Sequence, residues 1–210
     1  VSKINHDMRN MLSSAQLMSD RLTKSVDPTV QSLAPRLVRT LDRAVSYTRG
    51  VLEYGRTQEA PPRRRRLRLN QIVEDVRATL AIDSANGVEF INAVDPGLEI
   101  EADAEQLFRV LANLARNAVE AMAAEKDTAL VRRLTISALR EGRSVEILIS
   151  DTGPGLPPKA RENLFTAFRG GARSGGTGLG LAIAQELVRA HGGEITLKES
   201  RSGHTVFSIL

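Results

Sequence analysis

The chain has 210 residues, 41% of them hydrophobic, which is enough apolar material for one or two compact domains. It contains no cysteine, so a disulfide framework, a thiolate metal site and a cysteine nucleophile are all excluded. The formal net charge of +4 owes much to one run, Arg63 to Arg66, and at 3% aromatic content the chain lacks the interleaved basic and aromatic residues of an RNA-binding surface.

No apolar run in the sequence approaches the roughly 20 residues that span a bilayer. The N-terminus also lacks the charged and apolar regions of a signal peptide. We therefore expect a cytoplasmic chain without a membrane segment. Because Val1 to Asn5 already has the pattern of a helix interior, we also expect a longer parent protein, with any sensor domain or membrane anchor upstream.

Two amphipathic helices are predicted in the first 57 residues. Apolar residues recur every three or four positions from Val1 to about Lys24, Asp27-Pro28 interrupts the pattern, and a second helix follows from about Thr29 to Thr57. One partner helix cannot cover the apolar stripe of such a hairpin. We therefore expect two copies of residues 1–57 to form a homodimeric four-helix bundle, although the periodicity is equally typical of any helical hairpin.

The segment 59–68 has the composition of a junction between domains. Pro61 and Pro62 precede the arginine run, and a short strand is predicted near Arg66 to Leu69. We interpret this segment as a linker that ends in an edge strand. A basic nucleic-acid site is the less favoured alternative, and we expect no nucleic-acid partner.

Residues 69–210 alternate between helical and strand patterns. Asn70 is expected to cap a helix that runs to about Leu80. Two dipeptides that end in glycine, Glu141-Gly142 and Ser202-Gly203, predict hairpin turns. Strands are predicted near 88–94, 98–101, 134–139, 145–150, 195–197 and 206–209, and further helices from Asp103 to about Ala123 and up to His191-Gly192-Gly193. The chain is thus predicted to be α+β, with a helical hairpin at 1–58 followed by an α/β sandwich with a mostly antiparallel sheet at 69–210.

Asn113 and Asn117 stand four residues apart on the long predicted helix and so share one face. Two neutral amide oxygens suit a magnesium ion whose other ligands are water and nucleotide phosphates. Ordinary surface asparagines are the alternative interpretation of this pair.

Asp151 follows a strand that has a buried pattern and begins the sequence Asp-Thr-Gly-Pro-Gly. A carboxylate there can accept a hydrogen bond from the exocyclic amine of adenine, whereas guanine presents a carbonyl oxygen. Gly153 and Gly155 are expected to permit positive φ and a close approach of the backbone to the base. A plain turn after a strand is the alternative.

A glycine-rich segment, Gly175 to Gly180, opens a predicted helix, so free backbone N–H groups can face phosphates there. It has neither the lysine of a P-loop nor the spacing of a dinucleotide fingerprint. The preceding residues, Pro157 to Ser174, are long enough to form a lid.

His6 lies on the first predicted helix, followed by Asp7 and, one turn later, by Asn10. A neutral imidazole accepts phosphoryl groups near neutral pH. A lone helical histidine is more often structural, and His191 and His204 are interpreted in that way.

In this order, the motifs resemble those of sensor histidine kinases over essentially the whole chain. The resemblance implies a Bergerat-type ATP-binding fold, shared with gyrase-type ATPases, joined to a dimerising four-helix bundle. The boxes that carry it are the phosphoacceptor box His6–Asn10, the asparagine box Asn113–Ala121, the first glycine box Asp151–Gly155, the phenylalanine box Leu164–Phe168 and the second glycine box Gly176–Gly180.

The resemblance also implies roles for single residues. His6 would accept the phosphoryl group, Asp7 would assist its deprotonation, and Asn10 would position water for removal of phosphate from a response regulator. Asn117 would be the main magnesium ligand and Asn113 would support the ion. The other implied nucleotide-binding residues are Arg116, Asp151, Gly153, Gly155, Phe168, Gly176, Thr177, Gly178, Leu179 and Gly180.

The implied function is ATP-dependent autophosphorylation of His6, transfer to an aspartate of a response-regulator receiver domain, and a regulator phosphatase activity. Two positions depart from many family members: Met11 stands where proline is frequent, and Glu120 stands where a basic residue is frequent, so Arg116, Arg169 or Arg173 would face the γ-phosphate instead. A catalytically silent nucleotide-sensing scaffold of the same fold is the alternative. The ATP-binding domain is expected to swing about residues 57–68.

Overall fold

The computed structural model of the chain describes residues 27, 30–31, 33–38, 40–41, 44, 48, 61–82, 87–123, 131–167 and 178–210. The described residues between 30 and 48 are helical, and the backbone N–H of Val30 donates to the Asp27 carboxylate at 3.4 Å. The first predicted helix lies outside the described residues, so the predicted hairpin and bundle stay predictions. No described helix combines the length and apolarity needed to cross a membrane.

Residues 61–210 form an α+β sandwich whose helices pack on one face of a five-stranded sheet. The elements follow the predicted order, with one short helix, α3, in addition. They are β1 (Arg65–Arg68), α1 (Leu69–Thr79), β2 (Glu89–Ala93), β3 (Glu99–Ala102), α2 (Ala104–Ala123), β4 (Arg133–Glu141), β5 (Ser144–Asp151), α3 (Pro158–Glu162), α4 (Gly180–Ala190), β6 (Ile195–Arg201) and β7 (His204–Ile209).

The main sheet is mixed, with strand order β2-β4-β5-β7-β6. Only β2 and β4 are parallel, and the other three neighbouring pairs are antiparallel, so the prediction of a mostly antiparallel sheet is confirmed. Both tight hairpins turn at a glycine with positive φ, Gly142 at 62° and Gly203 at 79°. A residue with a side chain would be strained at either position, which explains why a glycine at each turn predicted the hairpin correctly.

One hydrophobic core lies between the sheet and the helices. Alternate residues of the central strands point into it, because successive side chains of a strand face opposite sides. The long helix α2 supplies the facing stripe at intervals of three and four residues and packs against α1 and α4. The fully buried residues of this core include Leu111, Leu114 and Met122 of α2 and Leu134, Ile136 and Ile149 of the sheet.

The predicted helix cap at Asn70 is wrong. The helix begins one residue earlier, at Leu69, whose side chain is fully buried and whose N–H donates to the carbonyl of Leu98 at 3.1 Å. The Asn70 amide instead donates to the carbonyl of Val94 at 3.0 Å. Burial of the leucine and this bond across the fold outweigh the local capping preference of asparagine.

The arginine run ends in an edge strand, as predicted. Strand β1 pairs with β3 alone, in an antiparallel two-stranded sheet. Arg66 lies opposite Glu101 and Arg68 opposite Glu99, and the Arg66 guanidinium contacts the Glu99 carboxylate at 2.5 Å. This exposed ion pair adds little stability, but the two glutamates of β3 offset part of the positive charge of β1.

Candidate functional site

The two asparagines of α2 lie next to the beginning of α4. Asn113 and Asn117 are both partly exposed, whereas the neighbouring Leu114 and Ala118 are buried in the core. A methyl group on Gly180 would lie 3.7 Å from Asn113 Oδ1, which is ordinary van der Waals contact. The first residue of α4 therefore lies beside an asparagine that stands far from it in the sequence, with room between them for no more than a methyl group.

The start of α4 lies beside this region and has no side-chain cap. Gly178 has a φ of 68°, Leu179 precedes the helix without a side-chain cap, and Gly180 is the first helical residue. The uncapped N–H groups of a helix N-terminus attract anions. The Leu179 side chain is fully buried, so it belongs to the core and not to a ligand surface.

Asp151 ends β5 on the inner face of the sheet and is only 5% exposed. Burial raises the pKa of its carboxyl to about 6, against the opposing effects of the Gly153 N–H, of His204 and of the Thr205 hydroxyl. The Gly153 N–H donates to Asp151 Oδ1 at 2.8 Å. A carboxylate oxygen offers two lone pairs, so this bond leaves acceptor capacity for a ligand.

The two glycines that follow Asp151 are needed for different reasons. Gly153 does not adopt positive φ, contrary to the prediction, but a Cβ there would lie 2.7 Å from Asp151 Oδ1. Gly155 does adopt positive φ, at 75°, and a Cβ there would lie 2.8 Å from the carbonyl oxygen of Arg201. The close backbone approach at Gly155 is thus to the β6–β7 hairpin.

Thr205 is a site residue that sequence reasoning missed. It is 4% exposed, lies opposite Asp151 in the β5–β7 ladder, and its hydroxyl hydrogen-bonds to the Asp151 carboxyl. The hydroxyl can relay a further hydrogen bond to a ligand beside the carboxylate. Thr205 lies just outside the predicted strand 206–209, and only the strand pairing shows that it meets Asp151.

Arg116 and Glu120 lie one helical turn apart on α2, beside the asparagine face. Both are exposed. Desolvation by the surroundings raises the pKa of Glu120, and the Arg116 charge opposes that shift. Arg116 is therefore placed where a cation would serve bound phosphates, with an acidic neighbour that partly offsets its charge.

The described part of the site contains the α2 asparagines, Arg116, the Asp151 loop and Gly178 to Gly180. Phe165, which belongs to the predicted phenylalanine box, packs against the core. The other predicted site residues lie outside the described residues: His6, Asp7, Asn10, Phe168, Gly176 and Thr177.

The donor set fits magnesium that is held jointly with a nucleotide. No group of three or more His, Asp or Glu side chains suited to a metal ion occurs among the residues that the structure describes. Asn113 and Asn117 provide only neutral, hard oxygens. Magnesium usually keeps several waters and takes its remaining ligands from substrate phosphates, so two amide oxygens beside a phosphate-binding helix end suit it.

Residues 102–210, about half of the chain, match the family described as histidine kinase-, DNA gyrase B- and HSP90-like ATPases. The sensory histidine kinase/phosphatase NtrB of Vibrio alginolyticus is 30% identical over 97% of this chain. The protein of the same name from Salmonella typhimurium is 31% identical over 97%. The chain spans 59% of the length of each relative.

Solved structures with the same fold include full-length ShkA in complex with AMPPNP. That structure superposes with a TM-score of 0.72, at 26% identity, and covers 99% of this chain and 44% of its own. The histidine kinase ThkA in complex with the response regulator TrrA gives a TM-score of 0.67 at 24% identity, with 99% of this chain and 59% of the ThkA chain covered.

Asp151→Asn is expected to stabilise the nucleotide-free protein above pH 6. The folded pKa of about 6 lies above the ordinary 3.8, so the folded state binds the proton more tightly than the unfolded state. Stability from this group is present below pH 4 and is lost as the pH rises through 6, a difference of roughly 2 to 3 kcal/mol. The asparagine avoids this cost because it is neutral.

Urea unfolding of both proteins at pH 4, 6 and 8 tests this expectation. The stability gain of Asp151→Asn should grow from pH 4 to pH 8. Asp95→Asn, at an exposed position where the side chain also accepts a backbone N–H, controls for the loss of one charge. A stability difference between Asp151→Asn and the unmodified chain that is the same at pH 4 and pH 8 would show that burial does not raise this pKa.

Proposed function

Because the chain belongs to the family of histidine kinase-, DNA gyrase B- and HSP90-like ATPases, we propose that it is a protein histidine kinase that transfers the γ-phosphoryl group of ATP to His6. The observation that carries the proposal is the proximity of Asn113 to Gly180, where an added Cβ would meet the asparagine at 3.7 Å. It joins a magnesium-type donor pair to an anion-attracting helix end. Asp151, at the end of β5, faces the same helix layer, and Gly153 lies next to Ala121 and Met122 of α2.

At the adenine end, Asp151 accepts a hydrogen bond from the exocyclic amine of the base. Above pH 6 the carboxyl is mainly ionised, and a charged acceptor binds a donor about twice as strongly as a neutral one. Burial excludes competing water. Thr205 extends the same polar contact, and a base with a carbonyl in place of the amine would leave Asp151 facing another acceptor.

At the phosphate end, the backbone N–H groups of Gly178 and Gly180 hold phosphate oxygens, and Arg116 adds positive charge. Asn117 and Asn113 would hold magnesium, which neutralises phosphate charge and orients the γ-phosphoryl group when bound. The neutral amide of Asn113 cannot deprotonate water as a carboxylate does. The site therefore favours an acceptor that arrives from elsewhere in the chain.

His6 is that acceptor in our proposal. Its imidazole nitrogen attacks the γ-phosphorus in line, the bond from phosphorus to the bridging oxygen breaks, and ADP leaves with that electron pair. The proton of the phosphorylated imidazole is shared with Asp7. Phosphohistidine then passes the group to an aspartate of a receiver domain, and Asn10 positions water for hydrolysis of that aspartyl phosphate, which releases inorganic phosphate and is the phosphatase activity.

The partner and the phosphatase activity rest on the resemblance of the phosphoacceptor box and on relatives named as kinase/phosphatase. The ThkA structure, which shares the fold, holds that kinase with its response regulator. For this chain, a receiver domain docked on the helices of residues 1–57 is our proposal. The silent-scaffold alternative predicts nucleotide binding without phosphoryl transfer.

Incubation with γ-labelled ATP and magnesium should label the chain with phosphate that is acid-labile and alkali-stable, since phosphohistidine has that stability. His6→Ala should remove the label, whereas His204→Ala and the unmodified chain should retain it. The absence of label from a folded chain that binds ATP would favour the scaffold alternative. Label that persists in His6→Ala would place the acceptor elsewhere.

Asn117→Ala is expected to abolish autophosphorylation by removing a magnesium ligand. Asp151→Asn should instead weaken ATP binding by roughly 1.5 to 3 kcal/mol through loss of a charged acceptor. ATP titrations with magnesium and with a chelator separate the two effects, because only Asn117→Ala should reduce the gain in affinity that magnesium provides. A normal magnesium effect in Asn117→Ala would remove its assignment as a ligand.

The full chain is expected to be a homodimer through residues 1–57. An amphipathic hairpin leaves apolar surface that a second copy covers in a four-helix bundle. Light scattering at micromolar concentration should give twice the mass of the chain, and residues 61–210 alone should give the mass of a monomer. A monomeric full chain would contradict the bundle.

A further inference from the structure

Two features that the proposed site does not use, the arginine run and His191, meet at the opposite end of the helix layer. The meeting point is Asp103, which precedes α2. Asp103 Oδ1 accepts the N–H groups of Glu105 and Gln106, each at 3.1 Å, and so caps the helix. Its other oxygen, Oδ2, accepts the backbone N–H of Arg63 at 3.0 Å. One carboxylate thus holds both the helix start and the linker.

His191, which follows α4, completes the connection. The backbone N–H of Asp103 lies 3.1 Å from His191 Nε2 and can only donate, so Nε2 accepts. Nδ1 therefore carries the proton and donates to the carbonyl of Leu187 at 2.8 Å. The ring is held as one neutral tautomer, with both nitrogens bonded to backbone.

The linker is also bonded to the backbone of His191. The Arg64 guanidinium donates to the His191 carbonyl at 2.8 Å, at the end of α4 where carbonyl groups lack helical partners. From Arg65 onward the chain pairs with β3. Backbone, side chain and strand bonds therefore attach every linker residue from Arg63 to Arg68 to the nucleotide domain, and we call the contacts of Arg63, Arg64, Asp103 and His191 the linker latch.

We propose that Asp103 and His191 are positioning residues for phosphoryl transfer, which fasten Arg63 and Arg64 to the nucleotide domain and so place its pivot on the N-terminal side of Arg63. This inference rests on the proposed histidine kinase function. The domain was expected to swing about residues 57–68. The latch removes residues 63–68 from that region and leaves 57–62. A shorter free tether keeps the bound nucleotide at a higher effective concentration near an acceptor on the helical hairpin.

Limited trypsin digestion of the full chain tests the latch without reference to catalysis, because trypsin cleaves after each arginine of the run. Asp103→Ser keeps a helix-capping oxygen but is too short to reach the Arg63 N–H. His191→Leu removes the ring acceptor, and His191→Gln restores one. Asp95→Ser changes an exposed aspartate that accepts the N–H of Gly97, and serves as the matched control.

Cleavage after Arg63 and Arg64 should become about tenfold faster in Asp103→Ser and His191→Leu, since proteolysis follows the population of the open segment. His191→Gln should recover most of the protection, and Asp95→Ser should match the unmodified chain. Cleavage after Arg143, an exposed residue in the β4–β5 turn, should stay constant in all variants. Unchanged cleavage of the run, or an equal rise at Arg143, would overturn the latch.

A second measurement tests the positioning role. ATP affinity should stay within about twofold of the unmodified chain in Asp103→Ser and His191→Leu, while the transfer rate to His6 at saturating ATP should fall about three- to tenfold. A parallel loss of affinity, or an unchanged transfer rate in variants that trypsin opens, would overturn the positioning role. A chain that shows no transfer at all fails the proposed function, and the digestion still decides whether the latch exists.

Discussion

The burial of one carboxylate, that of Asp151, organises the nucleotide site. Burial raises its pKa to about 6, so the folded protein retains a charged group near neutral pH at the expense of its own stability. Gly153 lacks a Cβ because the carboxylate occupies that space, and its N–H provides a compensating hydrogen bond. Gly155 then lets the loop pass against the backbone of the β6–β7 hairpin. With an apolar residue at position 151, the protein would avoid the cost of burying a charge, but the Gly153 N–H would lose its carboxylate acceptor.

The helix layer brings the remaining groups together. Asn113 comes from the middle of α2 and Gly180 from the start of α4, and the packing of the two helices places these residues side by side. The hydrophobic stripe of α2 sets that packing, and the asparagines occupy its edge. The packing of apolar side chains therefore positions the charged and polar groups of the site. Each segment of the chain provides only a few of these groups.

The resemblance to sensor histidine kinases, which the sequence motifs indicated, is confirmed by the family and by its relatives. Local signals also placed the start of the long helix near Asp103 and the glycine turns at 142 and 203 correctly, because each depends on a few neighbouring residues. The cap at Asn70 failed because a buried leucine and a distant carbonyl determine that helix start. Thr205 and the linker latch were not predictable, since their contacts join segments whose pairing only the fold establishes.

The latch and the nucleotide site lie at opposite ends of one helix pair. Helix α4 has 11 residues and, at 1.5 Å per residue, separates Gly180 from His191 by roughly 16 Å. No latch residue is therefore close enough to hydrogen-bond to a nucleotide at Gly180, and an effect on affinity would require the packed helices themselves to move. Close-packed helices resist such movement. The physical expectation is a division of labour, in which the start of α4 and the middle of α2 bind the nucleotide while the end of α4 and the start of α2 fix where the linker leaves the domain.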